Sequence, residues 1–146
     1  MHFEGHVPIK ADRQKTWDLL MDPQKVGSCG PGVERVEVLD EKRFRIHAKV
    51  GIGLIRATFA VDVERADERA PDFAQLKGNG KAPGSAVDGT AEMHLSDGAD
   101  GTTVMDWKAD VQIHGKLASV GARLIEGTAK KMIDQTFDCI RVKLEA

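Results

Sequence analysis

The chain has 146 residues and a mass of 15.9 kDa, 41% hydrophobic, which suits one domain with a buried core and excludes separate cofactor and substrate lobes. Lys and Arg total 21 against 23 Asp and Glu, a formal charge of −2 with no long run of one sign, so the electrostatic footprint of a nucleic-acid binder is missing. No stretch reaches the roughly 18 apolar residues of a membrane span.

Met1-His2-Phe3-Glu4 lacks the basic and then apolar regions of a secretory signal, and the expected location is the cytoplasm. Cys29 and Cys139 lie far apart, match no metal or redox spacing, and are expected there as free thiols.

Phe3, Gly5, Val7 and Ile9 alternate with His2, Glu4 and His6, the period of a strand with one wet face. Asp12 then caps a short helix whose apolar positions are Trp17, Leu20 and Met21. Asp22-Pro23 is expected to end it, and Ser28-Cys29-Gly30-Pro31-Gly32 to form a loop. Strands follow. Val36 and Val38, then Phe44 to Val50, then Ile55 to Val63 alternate with charged neighbours; Pro71 to Gly80 reads as a weaker strand. Ala91, Met93 and Leu95 share a face in the next, and Met105, Trp107, Ala109, Val111 and Ile113 in the last. After Gly115 the period changes to about 3.6 residues, with Leu117, Val120, Leu124 and Thr128 in one row. Ile125, Ala129, Met132, Ile133, Phe137, Ile140 and Leu144 form the neighbouring row, predicting a helix of some 28 residues, about 42 Å long.

One apolar sheet face needs a cover, and the long helix supplies it. The expected architecture is α+β: a single domain over residues 1–146, with a curved antiparallel sheet of six or seven strands wrapped around a C-terminal helix, the helix-grip arrangement. Small inward residues such as Gly5, Ala48, Ala57, Ala91, Ala109, Gly121 and Ala129 would leave space between the layers.

Acid–base catalysis needs titratable groups beside the reacting atoms. The inward strand positions show none, since Glu64, Glu92, Asp106 and Asp110 fall on the outward parity; Gln75, Asn79, Ser119 and Arg123 are the polar groups that less regular elements could bring in. His2, Glu4 and His6 share the wet face of the first strand and read as solvated rather than as a metal site, and no metal is expected. Gly51-Ile52-Gly53 and Gly78-Asn79-Gly80 read as turns, not nucleotide fingerprints. Arg43, Arg45, His47 and Lys49 make a basic ridge that Asp62 and Glu64 should neutralise. The large pliable residues either pack solidly or wall a cavity for a lipophile. In the second case the lining expected is Trp17, Phe59, Met93, Met105, Trp107, Val120, Leu124, Thr128 and Met132.

Asp22-Pro23, Cys29-Gly30-Pro31-Gly32, Lys49-Val50-Gly51 leading into Ala57-Thr58-Phe59, Gly78-Asn79-Gly80 and the run Gly115 to Ile125 resemble the CoxG family of carbon monoxide dehydrogenase subunits, within the START-like (SRPBCC) superfamily. The resemblance implies a non-catalytic accessory protein without a cofactor of its own. It implies a partner, a molybdenum hydroxylase of the carbon monoxide dehydrogenase type, and a cavity for a lipid or isoprenoid quinone. It also implies work at the inner face of the cytoplasmic membrane. With the sequence ending at Ala146, contact there is expected to be peripheral, through the loop Cys29 to Gly32 or that at Gly51 to Leu54. Two alternatives stand beside it: a cyclase-like enzyme, as in START-like relatives, and an assembly factor for the hydroxylase with a filled interior.

Overall fold

The computed structural model describes residues 1–146. Strand β1 (His2–Ile9) buries Phe3 and Ile9 and leaves His2, Glu4 and His6 exposed, as side-chain alternation requires. Helix α1 (Arg13–Leu20) starts where the Asp12 carboxylate accepts the Lys15 N–H at 2.7 Å. Asp22-Pro23 does not lead into a loop but opens a second short helix, α2 (Pro23–Gly27). Asp22 accepts from the Gln24 and Lys25 N–H groups, and proline occupies the first turn, where its missing N–H costs nothing.

Six strands follow: β2 (Val33–Val38), β3 (Arg43–Ile52), β4 (Ile55–Arg69), β5 (Phe73–Ala82), β6 (Ser85–Asp97) and β7 (Thr103–Gly115). All pair antiparallel in one seven-stranded sheet of order β1-β7-β6-β5-β4-β3-β2, so the meander closes on its own first strand. Gly78-Asn79-Gly80 is not a turn. It lies inside β5, with Gly78 opposite Val63 on one side and Gly89 on the other; the turn comes later, between Ala82 and Ser85.

Helix α3 (Ala122–Glu145) is 24 residues long, and Lys116–Val120 forms a separate 3-10 turn ahead of it. Gly121, at φ +99°, breaks the path between the two. The row Leu117, Val120, Leu124, Thr128 is therefore not one helical face.

Two apolar clusters hold the layers together. At one end Ile9, Trp17, Cys29, Ala74, Leu95, Met105, Ile140 and Leu144 join α1, the sheet and the last turns of α3. At the other, Ile52, Phe59 and Leu117 pack the β3–β4 hairpin against the 3-10 turn. Cys29 and Cys139 are not free thiols: they form a disulfide with Cα atoms 5.5 Å apart, tying the loop after α2 to α3. Their sequence separation of 110 hides a proximity that exists only once α3 lies across the sheet.

Candidate functional site

Between the two clusters the layers part, leaving a cavity of about 630 Å³ under the middle of α3. That volume is in the range of small-molecule sites. Its floor is the inner face of the sheet, and the reason it is hollow lies in residue size. Ala91 and Ala109 face each other across β6 and β7, and Ala48 is an inward residue of β3; Gly78 and Gly89, opposite one another on β5 and β6, keep the same parity beside the floor without lining it. A Cβ placed on Gly78 meets nothing within 4 Å. The roof is the second helical row, Ile125, Ala129, Met132, Ile133, Phe137 and Ile140, spaced to share one face of α3. Around these, Phe44, Ile46, Val61, Val63 and Leu76 complete an apolar wall.

Of the nine residues expected to line a cavity, Met93, Met105, Trp107 and Met132 do so. The other five lie elsewhere. Trp17 is buried in the cluster under α1, and Phe59 belongs to the far cluster, against which Val120 packs from the 3-10 turn. Leu124 is 45% exposed beside Gly53, and Thr128, half-buried, is not in the cavity wall. For the Leu124–Thr128 row the cause is Gly121, which delays the helix and turns that row away from the sheet. Trp107 packs its ring against Phe137, with centroids 5.4 Å apart, and over Gly5, where any Cβ would come within 2.6 Å of the indole Nε1. That Nε1 is buried without a hydrogen-bond partner. Gly5 thus seats an aromatic ring rather than enlarging the space.

One charged side chain does face inward. β4 continues past Val63, and Arg65, opposite Leu76, keeps the inner parity and lines the cavity. Its Nη2 donates to the Glu41 carbonyl at 2.5 Å. The alternation is read in the sequence only as far as Val63, two residues short. Just beyond, a bulge between Arg65 and Asp67 brings Glu68 opposite the inward Ala74. None of the polar candidates from less regular elements reaches the cavity: Gln75 pairs with Glu92 on the outer parity, Asn79 donates to Asp88, Ser119 donates to the Lys116 carbonyl, and Arg123 is exposed.

Carboxylates at the border are otherwise occupied. Asp40, in the β2–β3 turn, accepts from the Lys42 and Arg43 N–H groups and from the Arg43 guanidinium, which hold its pKa below the usual carboxylate value. Glu92 bonds Lys108 at 3.0 Å on the outer face and raises that lysine's pKa. Of the two carboxylates expected to neutralise the basic ridge, Asp62 takes Arg45 at 2.6 Å, whereas Glu64, opposite Arg43, makes no ion pair; Arg43, His47 and Lys49 are met by Asp40, Glu37 and Glu34. His2 and His6 bond Asp110 and Asp106, each at 2.8 Å.

The two loops expected at a membrane differ. Cys29 is buried, whereas Leu54, at the tip of the β3–β4 hairpin, is fully exposed, with Leu124 and Val120 beside Gly53. Residues 49–57, 81–86 and 113–126, which meet at this end, carry Lys49, Arg56, Lys81, Lys116 and Arg123 against one carboxylate, Glu126. No helix is long and apolar enough to cross a membrane.

A curved antiparallel sheet gripping a C-terminal helix over an apolar hollow defines the START-like class. Solved structures share it: a conserved protein from Geobacillus kaustophilus (TM-score 0.92, 23% identity, 99% of this chain and 95% of that one) and a START superfamily protein from Mycobacterium smegmatis (0.72, 11%, 99% and 97%). The Zhui aromatase/cyclase from Streptomyces sp. R1128 shares the fold too (0.69, 14%, 99% and 93%). No curated protein matches the chain in sequence. The family model for CoxG, a carbon monoxide dehydrogenase subunit, matches residues 5–145, and the chain belongs to that family.

Proposed function

We propose that this protein is a non-catalytic carrier that takes a lipid or isoprenoid quinone into the cavity and links a molybdenum hydroxylase of the carbon monoxide dehydrogenase type to the membrane or respiratory chain. The observation that carries the reading is a hollow of about 630 Å³ with an almost wholly apolar wall, in a chain of the CoxG family. Affinity comes from burial: roughly 300 Å² of apolar ligand surface contributes about 7 kcal/mol at about 25 cal/mol per Å², before the loss of ligand freedom is subtracted. The methionines Met93, Met105 and Met132 let the wall adjust to its guest. The Leu54 tip, with its basic surroundings, is the part suited to an anionic membrane surface at the inner face of the cytoplasmic membrane, with contact peripheral.

Likeness to an aromatase/cyclase supports a second reading, catalysis in the same cavity. It asks for a titratable group facing inward, and a guanidinium such as that of Arg65 is a poor acid or base. Organic extraction of gently purified protein, followed by mass spectrometry, tests the carrier. A recovered lipid or quinone, or uptake of an added quinone at one per chain, is expected. No lipophile recovered and no quinone taken up would tell against it.

A further inference from the structure

We propose that Arg65 holds the oxygen-bearing head of the cavity's ligand, so that the preferred ligands are long apolar molecules ending in an anionic carboxylate. This rests on the carrier reading and narrows its lipid arm; a quinone, which has no carboxylate, occupies the same apolar hollow without this charge pairing. Arg65 is the only Lys or Arg on the inner parity of the strands that also lines the cavity, at the β2–β3 turn rather than beneath the centre of α3. A guanidinium has five N–H donors in a fixed plane. One bond, from Nη2 to the Glu41 carbonyl, is formed within the protein; Glu68 Oε2 stands 3.6 Å from Nε, an ion pair beyond hydrogen-bond length.

The side chain is 22% exposed, and the guanidinium nitrogens that carry no hydrogen bond keep some contact with solvent at the mouth of the cavity. Free guanidinium donors at a cavity mouth suit an anionic head, and hydrogen bonds from an ionised group to a carboxylate are about twice as strong as neutral ones. Next to Arg65 the inward residues across the sheet are Leu76, Ala91 and Ala109, one row of the floor. A head held at Arg65 therefore lays its chain along that row. Asp40 and Glu92 are each bonded to another cation, which leaves Glu68, 3.6 Å from Nε, as the carboxylate that shares the guanidinium with a ligand's head.

The test is displacement of a fluorescent apolar probe, N-phenyl-1-naphthylamine, by hexadecanoic acid and by its methyl ester, from the wild type, Arg65→Met and Arg65→Lys. The wild type is expected to prefer the acid by about tenfold or more, the scale of one charge-assisted bond. Arg65→Met should abolish that preference while holding the ester within about threefold, and Arg65→Lys should keep part of it. An acid preference that survives Arg65→Met, or none in the wild type, overturns the assignment to Arg65 while leaving the carrier intact. Loss of ester binding in both variants would mean that Arg65 only braces the β2–β3 turn, and overturns it as well. If the wild type takes up neither the naphthylamine nor either lipid, the carrier reading falls and this inference with it.

Discussion

Two glycines on the inner face act in opposite ways. Gly78 opens into space, so Gly78→Phe adds a side chain toward the cavity without removing any packing. It should fold normally and fail to take up a lipophile, measured by probe fluorescence and circular dichroism. Gly5 is already filled by the Trp107 ring, and Gly5→Ala forces that ring aside. The expected cost is about 1–3 kcal/mol, read by denaturant titration, together with a shift in tryptophan emission. Neither role is legible in the sequence. Gly78-Asn79-Gly80 has the composition of a turn yet ends the weaker strand read from Pro71, and its pairing with β4 and β6 decides for the strand. Alternation does reveal Met93, Met105 and Trp107, because parity within a strand survives any error in its ends. Arg65 escapes for the converse reason: the strand is longer than its clean alternation.

At the scale of elements, the long helix is legible and its beginning is not. Apolar spacing from Leu117 onward continues smoothly, yet Gly121 adopts a positive φ that ends one element and starts another. Four of the five misplaced lining residues, all but Thr128, belong to one of the two apolar clusters or sit beside the hairpin tip, at the ends of the cavity rather than its middle. The disulfide fastens α3 to the loop after α2, closing a loop of 110 residues in sequence. Replacing both cysteines by serine should cost about 2–5 kcal/mol, measured by urea unfolding, and neither cysteine of the unreduced native protein should react with iodoacetamide. A labelled thiol would contradict the bridge. The hairpin tip makes a further prediction. Leu54→Asp should reduce co-sedimentation with anionic phosphatidylserine vesicles several-fold and leave ligand uptake unchanged, because Leu54 touches bulk solvent and not the cavity wall.

For the whole molecule, surface pairing sets the acid response. Glu37, Asp40 and Asp62 titrate below their ordinary values, through a bond from His47, from the Lys42 N–H with Arg43, and from Arg45 respectively. A depressed folded pKa gives stability that is present above the unfolded value and lost as pH falls through the folded one. Thermal midpoints should therefore hold at neutral pH and decline below the usual carboxylate range; with all three groups exposed, the decline should be modest and weakened by salt. A midpoint flat down to pH 2 would contradict these pairings.

The most direct test of a ligand-holding hollow uses Trp107, which lines it, in a Trp17→Phe protein that leaves Trp107 as the sole tryptophan. Titration with a short-chain quinone should quench its emission saturably at one quinone per chain, and Gly78→Phe in the same background should remove the saturable phase. Quenching that is linear in quinone, or equal in the two proteins, would contradict the account.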